Sequence, residues 1–564
     1  MGSKAPFELA SETLGALPII NHFLARSRIE TVLRRHIDDD GPTGPDASTC
    51  LGVLLRNIIL DRGPVYSING WGSPFRPDLI GLKPDEIGRL NDDRIGRALD
   101  LLFDTDRASM MTETVVHVIK EFGLGLDQFH NDSTTLSLSG LYREADGRRQ
   151  RGKNTVKITF GHSKGHRPDL KQLLWALTVT ADGAVPVHYK LLSGNIPDSP
   201  THRDTWETIR TIAGRSDFLY VADSKLCVTE TLNYIDSQGG KFITVLPRTR
   251  KEDGWFREYL QTHNVPWTVI AREKNPRNLF GPPNIWKAID APVPSSDGYR
   301  AVWLWSSLMA DRDRDARESM MADAILHLEQ LETKLRKPRT RLRTREKVVD
   351  AADNARGANA RRWVDYEILT DEIPIFHQEK RGRPGPDTRY MKNTKTRYHV
   401  NWLPSEVNIS YDARTDGMFP LLTNCRNMPL KTVFQKYKFQ PHLEKRHEQL
   451  KTVYRAAKVL LKKITRIEGL LFLYFQAMLV QSLIEREVRV GMVREGIKSL
   501  PIYPEDRPCG SPTTDKLLKI FQEIQVHHLL SSGNEVQLFE PQLSPLQHQL
   551  IQLMGVNEAS YSCV

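Results

Sequence analysis

The hydrophobic period of this chain changes near residue 126, and that change constrains its fold more than any composition figure. Up to about residue 120 apolar residues recur at helical spacing. LGALPIINHFLARSRIETVLRRHI (Leu14–Ile37) reads as an amphipathic helix carrying Arg26, Arg28, Arg34 and Arg35, and DDRIGRALDLLFDTDRASMMTETVVHVIKEF follows as further helix. From about Leu126 the apolar residues alternate instead. Asp127–Leu138 reads as a strand running through Asp132, and Asn154–Phe160 as a short strand or hairpin arm. Gln172–Thr180 and Val185–Leu192 flank Ala181-Asp182-Gly183, a hairpin turn signal. Ser199-Pro200 opens a helix over Thr201–Ile212. Phe218–Ala222 is a short buried strand ending at Asp223, a helix covers roughly Cys227–Ile235, and Phe242–Leu246 is another buried strand.

Several strands, then helix, strand, helix, strand, is the order of a ribonuclease-H-like core, a mixed sheet with helices on its faces. The expected class is α/β. After Pro247 the pattern breaks up into aromatic-rich strand candidates (VPWTVIA, YRAVWLW), a charged helical stretch over 311–350 that Pro338 ends or kinks, and a loop at Gly382–Asp387. Asp416-Gly417 leads into a strand at Met418–Thr423, and helix dominates from Pro441 to about Val490. The tail after residue 500 reads as a linker and two short helical patterns.

At 564 residues, with 39% hydrophobic and 26% charged residues, the chain can bury a sizeable core and is not disordered throughout. The 79 Lys and Arg against 69 Asp and Glu leave a net charge of +10, which suits a polyanionic partner where it clusters. Five scattered Cys with no C-x-x-C argue against a zinc ribbon or disulfide scaffold and fit a reducing compartment. The start MGSKAPFELA has no apolar h-region. The longest apolar stretch, near Gly469–Val480, runs about a dozen residues and holds Gln476 where a membrane span needs about 20, so it reads as a buried core helix. The expectation is a soluble, cytoplasmic protein without a membrane partner.

Three acids stand out by location. Asp132 lies in the first core strand, Asp223 ends a later one, and Glu444 sits near the start of a basic helix. A strand Asp, an Asp at a strand C-terminus and an acid on a later helix can converge on one end of a mixed sheet. Carboxylates that close repel one another unless a divalent cation neutralises them. Mg²⁺ suits such a site, and two ions can serve in-line phosphoryl transfer, with Mn²⁺ as a substitute. The plain alternative holds for each acid alone: most are solvated or cap helices, and Asp223, followed by Ser224, can be an N-cap.

From Tyr437 the chain reads Tyr, two residues, Gln440, three residues, Glu444, six residues, Lys451. This resembles the Y-x2-R-x3-E-x6-K motif of DDE transposases of bacterial insertion sequences, in the insertion-sequence-four superfamily, with Gln440 in place of the usual Arg and Pro441 after it. Gly161–Leu177 and Val185–His202 resemble the family's blocks between its first two acids, Asp416–Asn424 the strand before the third, and Arg466–Leu483 the helix after it. The resemblance implies that Asp132, Asp223 and Glu444 hold metal, that Tyr437, Gln440 and Lys451 meet the DNA end, and that an insertion domain fills the long gap before Glu444. It implies a helical N-terminal domain over 1–125, the core over 126–247 and 411–490, the insertion over 248–410 and a tail over 491–564. It implies a DNA transposase, working at the nucleoid, that cleaves and joins double-stranded DNA at terminal inverted repeats and a target, as a homodimer. A catalytically inactive or domesticated DNA-binding descendant is the alternative that Gln440 keeps open. Tyr437 reads equally as a packing residue, and Glu448 with Lys451 as an ordinary exposed ion pair.

Other features allow two readings. Gly161-His162-Ser163-Lys164-Gly165 fits a hydrolase nucleophile elbow, but that elbow must open directly into a helix, and here Arg167-Pro168-Asp169 follows. Lys164 and Arg167 make this loop basic, which suits DNA better. The N-terminal helices are either a DNA-binding unit or a packing domain. From Lys334 to Lys347 there are eight Lys or Arg and one acid, either a solvated surface or a phosphate-binding one. Trp267, Trp286, Trp303 and Trp305 are core residues for the most part, with base stacking open to one of them.

Overall fold

The structure is a computed structural model that describes residues 7–39, 44–161, 167–196, 201–274, 280–338, 340–454 and 461–562. The chain forms two compact units, residues 1–244 together with 435–564, and residues 245–434. It is a mixed α/β protein.

The first unit contains strands β1 (Glu8–Thr13), β2 (Gln128–Leu138), β3 (Lys171–Thr180), β4 (Pro186–Ser193), β5 (Leu219–Ala222) and β6 (Lys241–Val245). The last five are ordered β4-β3-β2-β5-β6. β3 runs antiparallel to both β2 and β4, while β5 is parallel to β2, and β6 to β5. A helix Thr201–Ala213 makes the crossover to β5, as a parallel connection requires. Asn154–Phe160 forms no strand: only single bridges tie Lys157 to Asp146 and Thr159 to Gln172.

The first unit's helical core is the helix Ile464–Arg494. It is 31 residues, much longer than the apolar run suggests. By length and composition it could cross a membrane, but its most apolar window is wholly buried inside the fold. Helices Leu17–Ser27, Ala47–Leu60, Asp92–Asp104 and Pro545–Met554 pack on it. Gly469 lets one of them come close, since a Cβ there would lie 2.9 Å from the Leu99 carbonyl oxygen. The helical N-terminal region is thus part of the same compact unit as β2–β6. Leu14–Ile37 is two helices rather than one, Leu17–Ser27 and Ile29–His36, broken by Arg28 at φ 54°. Hydrophobic spacing records a buried face but not the change of direction that one left-handed residue makes.

The second unit contains β7 (Thr268–Glu273), β8 (Asn284–Asp290), β9 (Arg300–Ser306), β10 (Val364–Gln378), β11 (Tyr390–Pro404) and β12 (Met418–Thr423). Strands β12-β9-β8-β7 lie side by side, all antiparallel. Trp303 of β9 packs under Phe256 and Met418, as a core residue should. Helix Ser307–Arg336 stops just before Pro338, and helix Arg345–Ala360 follows. β10 and β11 form a long two-stranded ribbon whose inner half alternates, Val364, Tyr366 and Ile368 on one strand and Tyr398, Val400 and Trp402 on the other, facing one side. Asp416-Gly417 is a tight junction: Asp416 holds buried Arg317 through two bonds of 2.8 and 2.7 Å, and Gly417 sits at φ +74° where a Cβ would be 2.5 Å from the Ser306 carbonyl oxygen.

The tail is not purely helical. Strands β13 (Gln525–Ser531) and β14 (Asn534–Phe539) form a hairpin, and β13 pairs with β1, joining the two ends of the chain in the first unit.

Candidate active site

Asp132 and Asp223 are 91 positions apart, and the parallel register of β2 on β5 has the same offset. Gln128 faces Leu219 and Asn131 faces Ala222, so the next step puts Asp132 beside Asp223. Neighbouring strands lie about 4.8 Å apart, and residues in step point to the same side. The Asp132 side chain accepts the Ser133 N–H at 2.8 Å and stands 3.7 Å from His447 Nε2. Asp223 does both things the sequence allows. It caps a short 3₁₀ turn by accepting the Lys225 N–H at 3.0 Å, and it stands at the C-terminal end of its strand. Its carbonyl accepts the Thr244 hydroxyl at 2.6 Å, which ties it to β6.

Glu444 comes from helix Gln440–Glu448, with Pro441 in its first turn where the missing N–H costs nothing. A row of bonds lays the segment leading into this helix along one face of β2. Gln128 Nε2 donates to the Lys436 carbonyl at 2.9 Å, and Lys436 Nζ returns a bond of 3.0 Å to Gln128 Oε1. Two residues on, His130 Nδ1 meets Gln440 Oε1 at 2.9 Å, and Phe439 packs on the His130 ring. Two residues further is Asp132. Alternation along the strand puts 128, 130 and 132 on one face, so the helix is seated towards the acids.

Tyr437 reports what results. Its hydroxyl pKa is pushed up to about 12, first by burial and then by the negative charges of Glu444, Asp223 and Asp132. One phenol therefore feels all three carboxylates. Among the described residues, no three His, Cys, Asp or Glu side chains stand close enough to ligate one ion as they are. Carboxylates such as Asp132, Asp223 and Glu444 are hard oxygen donors of the kind Mg²⁺ takes.

The residues expected at DNA fall into different places. Gln440 is buried, with its amide bonded to His130 and 3.5 Å from the Asn131 carbonyl, so it pins the helix to β2 and is not presented to a phosphate. No local pattern around His130 marks it as that partner. Burial lowers the His130 pKa to about 4, with the Gln440 bond opposing. A neutral amide suits a neutral buried imidazole. Lys451 does not continue the Glu444 face at simple helical spacing. The helix widens into a π-helical stretch at Gln449–Val453, and Lys451 lies within it, half-buried. Glu448 lines a cavity of about 310 Å³ with Arg446, Gln449, Glu485 and Arg489. Arg167 is exposed but held by Asp169 through bonds of 2.8 and 2.7 Å. Lys164, with Ser163 and the rest of the elbow-like motif, lies outside the described residues.

No protein-family model matches this chain, and no curated protein does. Among solved structures it is similar to a piggyBac transposase synaptic complex with hairpin DNA. That match has 8% sequence identity, a TM-score of 0.36, and covers 89% of this chain and 76% of the other.

Proposed function

We propose that this chain is a metal-dependent DNA transposase of the DDE type, with Asp132, Asp223 and Glu444 as its catalytic carboxylates. The observation that carries the reading is the β2–β5 register, which brings Asp132 beside Asp223, with the Glu444 helix tied to the same face of β2 through Gln128 and His130. The strand order supports it: three antiparallel strands with two parallel ones beyond β2 is the order of a ribonuclease-H-like sheet. The motif from Tyr437 to Lys451 supports the insertion-sequence-four assignment.

Asp132 and Asp223, locked in register, form the rigid side of the site, and Glu444 closes it from the helix. Two bound Mg²⁺ ions would activate the attacking oxygen and stabilise the leaving one in an in-line displacement at phosphorus. Tyr437 stays protonated at neutral pH and so is a hydrogen-bond donor beside the carboxylates, able to meet a phosphate oxygen. Water and the freed 3′-hydroxyl serve in turn as nucleophiles, with no covalent protein–DNA bond. The partners are two terminal inverted repeats and a target duplex in the nucleoid, held by a homodimer.

The test uses duplexes cut from the flanks of the coding sequence. Cleavage with Mg²⁺ that chelator abolishes, and that Asp223→Asn abolishes while gel-shift binding persists, is the expected result. Cleavage in chelator, or by the Asp223→Asn protein, overturns the assignment. Binding without any cleavage by the wild type indicates the inactive, DNA-binding descendant instead.

A further inference from the structure

The ribbon β10–β11 is built in two halves. Near its foot, Tyr366, Ile368, Tyr398 and Trp402 pack, with buried Val364 and Val400, onto helices Ser307–Arg336 and Arg345–Ala360. Buried Glu332 locks this end by accepting the Val400 N–H at 2.8 Å and meeting His399 Nδ1 at 2.9 Å. Beyond Glu372 the cover stops. Strand residues there are exposed or half-buried on both faces, including Phe376 and Tyr390 at 60% and 52% exposure. The pairing nevertheless continues in strict register to Gln378 opposite Tyr390. An isolated two-stranded hairpin is marginal in water, so a bare extension of this length needs a purpose.

Its charge gives one. From 372 to 397 there are seven Lys or Arg and three Asp or Glu. Lys380, Arg381, Arg383, Arg389 and Lys392 are exposed and have no ion-pair partner among the described residues. The basic run that begins at Lys334 lies at the flank of the same ribbon, where Lys395 Nζ reaches the Pro338 carbonyl at 3.5 Å. Leu335 and Leu342 of that run face the core while Lys337, Arg341, Arg345 and Lys347 are exposed. Two basic features far apart in sequence thus meet at the flank of the ribbon.

We propose that the distal half of this ribbon, residues 372–397, is an arm that binds duplex DNA, tracking phosphates with its tip cations and fitting a groove with its backbone. A two-stranded ribbon matches the width of the major groove. The seven paired residues beyond the foot span about 23 Å, roughly two thirds of a turn of duplex. A second copy of the arm is excluded as occupant by like charge. The choice of DNA over another polyanion rests on the proposed function.

The test compares wild type with one protein carrying Lys380→Ser, Arg381→Ser, Arg383→Ser and Arg389→Ser, using anisotropy of a 30-bp duplex and of its single strand across a salt series. Unchanged melting shows that the exposed loop tolerates the changes. The expected result is at least tenfold weaker duplex binding at about 0.1 M salt, and a salt slope shallower by about 3.6 if all four cations meet phosphates, because each phosphate that the arm neutralises adds about 0.9 to the slope. A protein carrying Arg381→Lys, Arg383→Lys and Arg389→Lys should keep the wild-type slope. Unchanged duplex affinity and slope overturn the proposal, and so does a loss confined to the single strand. The catalytic assignment is tested separately by Asp223→Asn: cleavage can fail while the arm still binds, and the arm can fail while cleavage persists.

Discussion

Asp132 stands on a strand with bonded neighbours on both sides, whereas Arg383 stands at the tip of a ribbon with neighbours on neither. The first position is set by register on β3 and β5 and by a helix tied down at Gln128 and His130. The second is set by nothing beyond the hairpin's own pairing. Bond-making at phosphorus needs groups held in near-attack geometry, which paired strands and a helix tied to them can supply. Attraction of a polyanion needs charge and reach, and an open arm gives both at little cost in stability. The same contrast predicts which substitutions damage chemistry, which damage folding, and which do neither.

The largest expected effect is at the acids. Asp132→Asn and Asp223→Asn should each lower Mg²⁺-dependent cleavage at least a thousandfold, on the order of 4 kcal/mol of barrier, in single-turnover assays. If either variant retains a tenth of wild-type cleavage, the packed sheet is not the catalytic region.

Next comes the support behind the Glu444 helix. Arg446 is buried and donates to the Ala184 and Gly183 carbonyls at 3.0 and 3.2 Å and to Glu485 at 2.9 Å. Arg446→Ala leaves Glu485 buried without its main counter-charge, and urea unfolding should show a loss of about 3–4 kcal/mol. Adding Glu485→Gln should recover part of that loss. No recovery means that the backbone bonds, not the charge pair, hold this corner.

A pH effect of about 3 kcal/mol belongs to His130. Its pKa falls from 6.5 unfolded to about 4 folded, chiefly through burial. The folded state therefore refuses a proton that the unfolded chain takes. Stability from this site is complete above about pH 6.5 and is lost as pH falls towards about 4. His188 carries a shift of the same size and direction, also from burial. His130→Gln should thus remove about half of the acid-induced loss from the two sites, measured by denaturation at about pH 7 and about pH 4.5. An unchanged pH slope would show that His130 is accessible to protons in the folded state.

The smallest effect sharpens the contrast from the other side. Arg383→Ser at the ribbon tip should change unfolding free energy by less than about 0.5 kcal/mol, because an exposed surface cation contributes little. A larger loss would mean that the tip packs on something and is not a free arm.

Much of the first unit's sheet is legible along the chain. β2, β3, β4, β5 and β6 fall within a residue or two of the runs that alternate or stay apolar, because side chains on a pleated strand must repeat every second residue. The long hairpin β10–β11 escapes that reading. Its outer half has no buried face, so it has no reason to alternate. The β13–β14 hairpin has a signal in Ser532-Gly533, both at positive φ, but little apolar alternation around it. The break at Arg28 carries no local signal at all.

By itself the sequence determined the identities and spacing of the three acids, the Tyr437–Lys451 motif, and the clustering of cations at Lys334–Lys347. These are properties of a string, and spacing is all that they need. Only the tertiary structure decided that the 91-residue gap is a strand register, that Gln440 turns inward to His130, that the helix widens before Lys451, and that a second cationic segment joins the first along a bare ribbon. Each depends on contacts between residues far apart in sequence, whose geometry is set by packing and pairing that no local pattern encodes.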